Sequence, residues 1–325
     1  MRRIFSVPGL LVIICFLLPV CLEAQSIVFD ANVNKQITLP HISSASALVK
    51  YRGSYFIAGD DSPYLFQLNT KYEVVDSIKI FSTKHLENGR LPKHEKADFE
   101  CMTVVPWGKD SDLLVFGSGS TGEKSEVMSR VDFDGQDHKV TTYDLAKLYK
   151  HIAQKSDAQA GINFEGAGLW KKKLILLNRA DNALIMMDLD DFRDYIKDDK
   201  KDKPDIKSIK FNLPSVNGVS ARFSGMCLLL EEDILVFSAS VENDPNWIDN
   251  QNIVGSYIGL IDLNQLENTT PVCERIMHNG KPLQDKVESV YVVSSTNSDI
   301  KLLGVTDNDD GSSKLLEIDF RKRTH

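Results

Sequence analysis

The sequence predicts an all-β fold, a five-bladed β-propeller of four-stranded antiparallel blades, with six blades as the alternative count. The first observation is a recurring segment. Asp98-Phe-Glu-Cys-Met-Thr-Val-Val105 returns as Asn163-Phe-Glu-Gly-Ala-Gly-Leu-Trp170, Arg222-Phe-Ser-Gly-Met-Cys-Leu-Leu229 and Lys286-Val-Glu-Ser-Val-Tyr-Val-Val293, after a worn first copy, Ser43-Ser-Ala-Ser-Ala-Leu-Val-Lys50. The second is an apolar run and a polar turn after each copy, at 55–60, 113–118, 174–179, 234–240 and 300–307. The third is a further run ending in an acid or amide, at Asn69, Asp132, Asp188, Asp262 and Asp319. Repeats this long, each holding several short strands, mark a propeller.

In chain order, the first 24 residues read as a secretory signal peptide. Arg2 and Arg3 precede an apolar run at 10–18, and Ala24 is a small residue for cleavage. The run is too short to span a bilayer. Leu18-Pro-Val-Cys21 is similar to a bacterial lipoprotein signal, with Val20 in place of the usual small residue, which makes Cys21 the position for a lipid anchor. The expected location is secreted or periplasmic, with no transmembrane segment once the signal is removed. Residues 25–325 then form one propeller domain.

Residues 34–39 resemble the fourth strand of a blade and precede the first unit, whereas the last unit ends at Phe320 without one. The N-terminal strand therefore closes the last blade and hides its edge. In the first unit the strands are 47–51, 54–58, 64–68 and 74–80. They are rich in Val, Ile, Phe and Tyr and separated by Gly, Asp, Asn and Ser. Two helical insertions interrupt the pattern. One lies near 143–155, where Leu145, Leu148, Tyr149 and Ile152 fall at helical spacing; the other lies near 189–197. The charge run at 197–203 reads as a solvated loop.

Composition narrows the function. A net charge of −8 over 325 residues argues against nucleic acid, whose affinity comes from Lys and Arg on phosphates. Beyond Cys15 and Cys21 only Cys101, Cys227 and Cys273 remain, too few for a disulfide framework. Gly117-Ser-Gly-Ser-Thr-Gly-Glu-Lys-Ser125 has the look of a phosphate loop, but Glu123 adds a residue before Lys124 and a strand comes next where a helix is needed. Thr306-Asp-Asn-Asp-Asp-Gly311 approaches an EF-hand loop, with Thr306 in place of the first ligand; it reads as a polar hairpin turn.

The chain resembles a secreted bacterial β-propeller family catalogued as domain of unknown function 6929. The residues that carry the likeness are Gly59-Asp-Asp-Ser-Pro-Tyr-Leu-Phe-Gln-Leu-Asn69, Asp98-Phe-Glu100, Gly117-Ser-Gly-Ser120, Asn163-Phe-Glu-Gly166 and Ser240-Val-Glu-Asn243. More distantly, Glu or Ser before Gly at the head of an inner strand is similar to the phytase-like (esterase-like) and SdiA-regulated propellers. That distant likeness implies a metal-dependent hydrolase of phosphate or carboxylic esters.

In an antiparallel blade the start of the first strand and the end of the second lie at one end. One face of the ring should therefore collect Asp60, Asp61, Asp98, Glu100, Ser118, Ser120, Glu165, Arg179, Arg222, Glu242, Asn243 and Glu288. Glu100, Glu165 and Glu288 share one aligned position with Ala45 and Ser224. Two carboxylates ~6 Å apart at an effective dielectric of ~20 repel by roughly 3 kcal/mol. Three together need a cation, arginines or raised pKa values. Calcium suits such an oxygen-rich set, with Glu100, Glu165 and Glu288 as its ligands. The structural alternative is that each Glu caps backbone amides of a neighbouring blade. His94, in a connection on the same face, is the acid–base candidate. Trp247 sits in a loop over that face, placed either to cover a ligand or to pack its own blade. These residues support two functions: a propeller that binds a small ligand or cation, or an ester hydrolase.

Overall fold

The computed structural model describes residues 28–135, 137–198, 200–242, 253–267, 269–307 and 312–323. Residues 1–24 with Cys21, and Asn243, Trp247 and Asp309, lie outside the described residues.

The first strand among the described residues is β1 (Phe29–Thr38). A four-stranded antiparallel sheet comes next, formed by β2 (Ala45–Tyr51), β3 (Ser54–Gly59), β4 (Tyr64–Leu68) and β5 (Val74–Lys79). The second such sheet consists of β6 (Phe99–Trp107), β7 (Asp110–Gly117), β8 (Val127–Asp134) and β9 (Asp137–Asp144). Helix α1 (Ala146–Lys155) leads into a third sheet, β10 (Phe164–Trp170), β11 (Lys173–Asn178), β12 (Ala183–Asp188) and β13 (Lys207–Lys210), with α2 (Leu189–Lys197) between its last two strands. A short hairpin, β14 (Ser215–Val216) and β15 (Val219–Ser220), precedes β16 (Arg222–Leu229), β17 (Ile234–Glu242), β18 (Ile253–Asp262) and β19 (Val272–His278). The chain ends with β20 (Lys281–Pro282), β21 (Lys286–Ser295), β22 (Asp299–Asp307) and β23 (Ser313–Lys322).

β1 joins the two ends of the chain. It pairs antiparallel with β23 from Phe29 opposite Lys322 to Thr38 opposite Lys314. It also touches β19 in parallel, Ala31 opposite Ile276. The result is one mixed sheet ordered β16-β17-β18-β19-β1-β23-β22-β21. Residues 34–39 thus largely fall within β1, and the edge of β23 is covered as edge chemistry requires.

The first strands of the units touch in a closed cycle: β2 with β6, β6 with β10, β10 with β16, β16 with β21, and β21 with β2. The core divides accordingly. Phe56 and Leu65 pack with Phe99 and Val115, and Phe116 and Leu114 with Phe164 and Leu176. Ile175 and Leu184 pack with Phe223 and Phe237, Val236 and Ile258 with Val290 and Leu316, and Val305 and Leu315 with Leu48 and Ile57. Each group joins two consecutive units, as expected where every sheet buries both faces.

Local chemistry explains the turns. Arg52-Gly53, with φ of 48° and 85°, supplies the two positive angles of a tight hairpin between β2 and β3. On the far face, Asn69 Oδ1 accepts from the amides of Lys71 and Glu73, Asp188 caps α2 through the amide of Asp190, and Asp262 accepts from the amide of Asn264. These acids and amides make turns, as the sequence suggests. The helix expected from 143 begins at Ala146, because Tyr143 and Asp144 still belong to β9. Its Leu148, Tyr149 and Ile152 are buried, and Tyr149 meets Phe164 edge-on at 5.0 Å. After the glycine-rich loop comes a single 3-10 turn, Glu123–Ser125, and then β8 rather than a helix.

Candidate functional site

Every unit carries the same irregularity. The pairing of its first two strands slips between Ala45 and Ala47, Phe99 and Cys101, Phe164 and Gly166, Phe223 and Gly225, and Val287 and Ser289. The extra residues are Ser46, Glu100, Glu165, Ser224 and Glu288. A bulge sets two residues against one and re-aims a side chain. This corrects the alignment of the worn first copy: its equivalent position is Ser46, not Ala45. Ser44 and Asp98, each two residues before the bulge, both adopt a left-handed backbone, with φ of 50° and 55°. Aspartate tolerates that region better than most side chains. The two bulged serines donate to carbonyls, Ser46 to Ser44 at 2.9 Å and Ser224 to Val287 at 2.6 Å. The three bulged glutamates carry charge into the structure.

Two of the three are held by side-chain cations rather than backbone caps. Arg179, buried, lies 3.7 Å from Glu165 and donates to Glu242 in a short contact. Lys286 lies 2.7 Å from Glu288 and 3.6 Å from Glu242. Arg179 also donates to the Phe223 carbonyl at 3.1 Å, tying the network to the β16 backbone. Burial would raise the Glu242 carboxyl, but Lys286 and Arg179 outweigh it and hold it at about 2. Burial would also lower Lys286, yet Glu288 and Glu242 hold its pKa well above the usual lysine value.

The other half of the cluster is short of cations. Lys96 bridges Asp60 at 2.5 Å and Asp98 at 2.7 Å. Asp98 further accepts from Ser120 at 3.1 Å and from Ser118 in a short contact. Oxygens of Asp60, Asp98 and Glu100 lie within 4.8 Å of one another. Glu100 keeps part of its surface open, yet burial is the first cause that drives its pKa well up, followed by Glu165, Asp98, Asp60 and Glu288. The three glutamates therefore do sense one another. Two oxygens in the cluster, Asp60 Oδ1 and Glu288 Oε2, are buried without a hydrogen-bond partner among the described residues. Among the described residues the compact oxygen group is Asp60–Asp98–Glu100 rather than the expected Glu100–Glu165–Glu288, because Arg179 and Lys286 engage the other two glutamates.

The remaining predicted residues divide. Asp61 is buried and pairs with Arg90, with Ser43 and Ser44 hydroxyls each at 3.2 Å. Ser118 and Ser120 brace Asp98. Arg222 does not join the acids: it is exposed and donates to the carbonyls of Arg179 and Ala180. Sequence reasoning does not single out Lys96, Lys286 and Arg90 as site residues. A signal is nonetheless present, since Lys96 and Lys286 each lie two residues before an acid of the motif.

A cleft of about 470 Å³ adjoins the cation-poor half, lined by Asp60, Asp61, Arg90, Lys93, Lys96 and Asp307 among others. A second cavity, about 550 Å³, lies on the opposite face beside Trp170, Asp188 and Leu263 and shares none of these groups. Among the described residues no helix is long and apolar enough to cross a membrane.

The chain belongs to the family of unknown function DUF6929, whose model matches residues 41–320. Comparison with curated proteins finds no match. Among solved structures, glutaminyl cyclase of Myxococcus xanthus is similar with a TM-score of 0.51 at 11% identity, covering 92% of this chain and 99% of that one. Virginiamycin B lyase from Staphylococcus aureus is similar with a TM-score of 0.40 at 9% identity, covering 89% and 99%. At such identities the likeness concerns the fold alone, an all-β, propeller-like arrangement of four-stranded sheets.

Proposed function

We propose that this chain is an exported five-bladed β-propeller whose acid-lined face binds a hard divalent cation, calcium foremost. Five recurrent bulges, five inter-unit core groups and the closed cycle of first strands support the blade count. Arg2, Arg3, the apolar run at 10–18 and Ala24 support export. One observation carries the site: Asp60, Asp98 and Glu100 bring oxygens within 4.8 Å of one another. That is the span of two oxygens on opposite sides of one calcium ion at ~2.4 Å each. Lys96 partly fills this position with its ammonium, so the arriving ion exchanges with it. The lysine also lines the adjoining cleft, which gives its side chain room to withdraw.

The ester-hydrolase reading has less support. Among the described residues no serine or cysteine pairs with a histidine. His85 and His94 lie at the surface against Glu87 and Glu95, at 3.8 and 3.7 Å. Burial pushes the Cys227 and Cys273 thiols up to about 12, far from a reactive thiolate.

Calorimetric titration of the metal-free chain with calcium tests the binding reading. The expected result is one ion per chain, with Glu100→Gln weakening affinity by at least about tenfold, or ~1.4 kcal/mol. Saturation at ~100 times the dissociation constant should add about 2.7 kcal/mol of stability. Absence of binding, or equal affinity in Glu100→Gln, contradicts the site.

A further inference from the structure

The cleft beside the cation position carries both signs of charge. Arg90, Lys93 and Lys96 line it together with Asp60, Asp61, Glu87 and Asp307, in a volume of about 470 Å³. That volume lies within the range of small-molecule sites. The charged walls disfavour an apolar ligand. The near balance of signs disfavours a ligand that is purely anionic or purely cationic.

Arg90 is positioned by its backbone. Asn88-Gly89, with φ of 52° and 83°, turns the chain so that Glu87 and Arg90 exchange backbone hydrogen bonds of 2.8 and 3.0 Å. The amide of Leu91 then bonds the Asp61 carbonyl at 2.7 Å. One edge of the guanidinium is thereby fixed against Asp61, with Nη2 reaching Ser44 Oγ at 3.0 Å. Nη1 makes no hydrogen bond among the described residues, and the side chain keeps 38% of its surface exposed. A guanidinium anchored through Nε and Nη2, with Nη1 left open, is a preorganised donor for a carboxylate. Asp60, in the same lining, has a buried Oδ1 with no hydrogen-bond partner among the described residues. Such an atom lacks a donor, and an ammonium group supplies donors and charge together.

We propose that the cleft takes a small zwitterion, an amino acid or short peptide with free termini, its carboxylate on Arg90 and Lys93 and its ammonium on Asp60. This rests on reading the acid-lined face as the ligand face. It does not require that calcium be the ion bound there.

Calorimetry on the full chain with three probes tests it: the dipeptide Ala-Ala, N-acetyl-Ala-Ala and Ala-Ala amide. Ala-Ala should bind, and blocking either terminus should weaken binding at least about tenfold. Lys93→Met should weaken Ala-Ala more than it weakens Ala-Ala amide, which has no carboxylate for the lysine to hold. Arg90→Lys keeps a charge beside Asp61 but loses the fork, and should weaken Ala-Ala with little change in Tm. Equal affinity for Ala-Ala and its amide, or no binding of Ala-Ala up to about 10 mM, overturns the proposal. Each titration is run with and without calcium. Dipeptide binding without calcium binding sinks the ion and keeps the zwitterion; calcium binding alone does the reverse.

Discussion

Arg179→Ala should destabilise the fold by about 3–5 kcal/mol, the cost of leaving buried charge without its partner. Arg179 serves two carboxylates at once, Glu165 at 3.7 Å and Glu242 in a short contact, while itself buried. Its loss strands Glu165, which is 6% exposed, with Lys286 as the next cation. The loss is measured by urea unfolding at neutral pH. Glu242 fixes the pH dependence. Its folded pKa, about 2, lies below its ordinary value of 4.5. A depressed carboxylate contributes stability above its unfolded pKa and loses it as pH falls through the folded one. The gap between wild type and Arg179→Ala should therefore shrink between pH 4.5 and about 2. Adding Glu242→Gln to Arg179→Ala should recover part of the loss, because one stranded charge goes with it.

Gly225→Ala should cost at the upper end of the ~1–3 kcal/mol typical of overpacking, and more if the strands cannot part. A Cβ there would lie 2.2 Å from the Glu288 carbonyl oxygen and 2.6 Å from the Ser289 Cα. Both are backbone atoms of the neighbouring first strand, so no side chain can rotate away. Glycine is needed for close approach, not for an unusual turn. The clash falls at the Glu288 bulge, so the same change should disturb the Lys286–Glu288 pair. Thermal melting gives the stability loss. A Tm within a degree or so of wild type would show that the two strands separate freely and that the bulges are not in rigid contact.

Much of the architecture is legible in the sequence, because propeller repeats are periodic and their turns use Asp, Asn and Gly for stated reasons. The β1 segment is identifiable because the last unit ends at Phe320 and residues 34–39 resemble the strand it lacks. The bulge is not legible. Alternation along a strand has a period of two, and a one-residue slip in pairing leaves no mark in one strand read alone. Sequence alignment alone therefore places Ala45 where Ser46 belongs. The shared face of Glu100, Glu165 and Glu288 comes from their common place in the repeat. The division of the site does not, because it depends on which cation reaches which acid. Lys96 and Lys286 precede acids in the motif, but only tertiary placement turns them into counter-ions. Arg222 shows the converse: it occupies a repeat position and turns outward to backbone carbonyls.

In the proposed reading, Asp60, Asp98 and Glu100 form one cation seat in which Lys96 stands until an ion arrives. Anomalous scattering from crystals grown with terbium, a calcium-sized hard cation, tests it directly. The expected result is one peak bonded to oxygens of all three residues at roughly 2.3–2.6 Å, with Lys96 withdrawn into the cleft. The contradicting result is no peak between them, with Lys96 still bridging Asp60 and Asp98 at 2.5 and 2.7 Å.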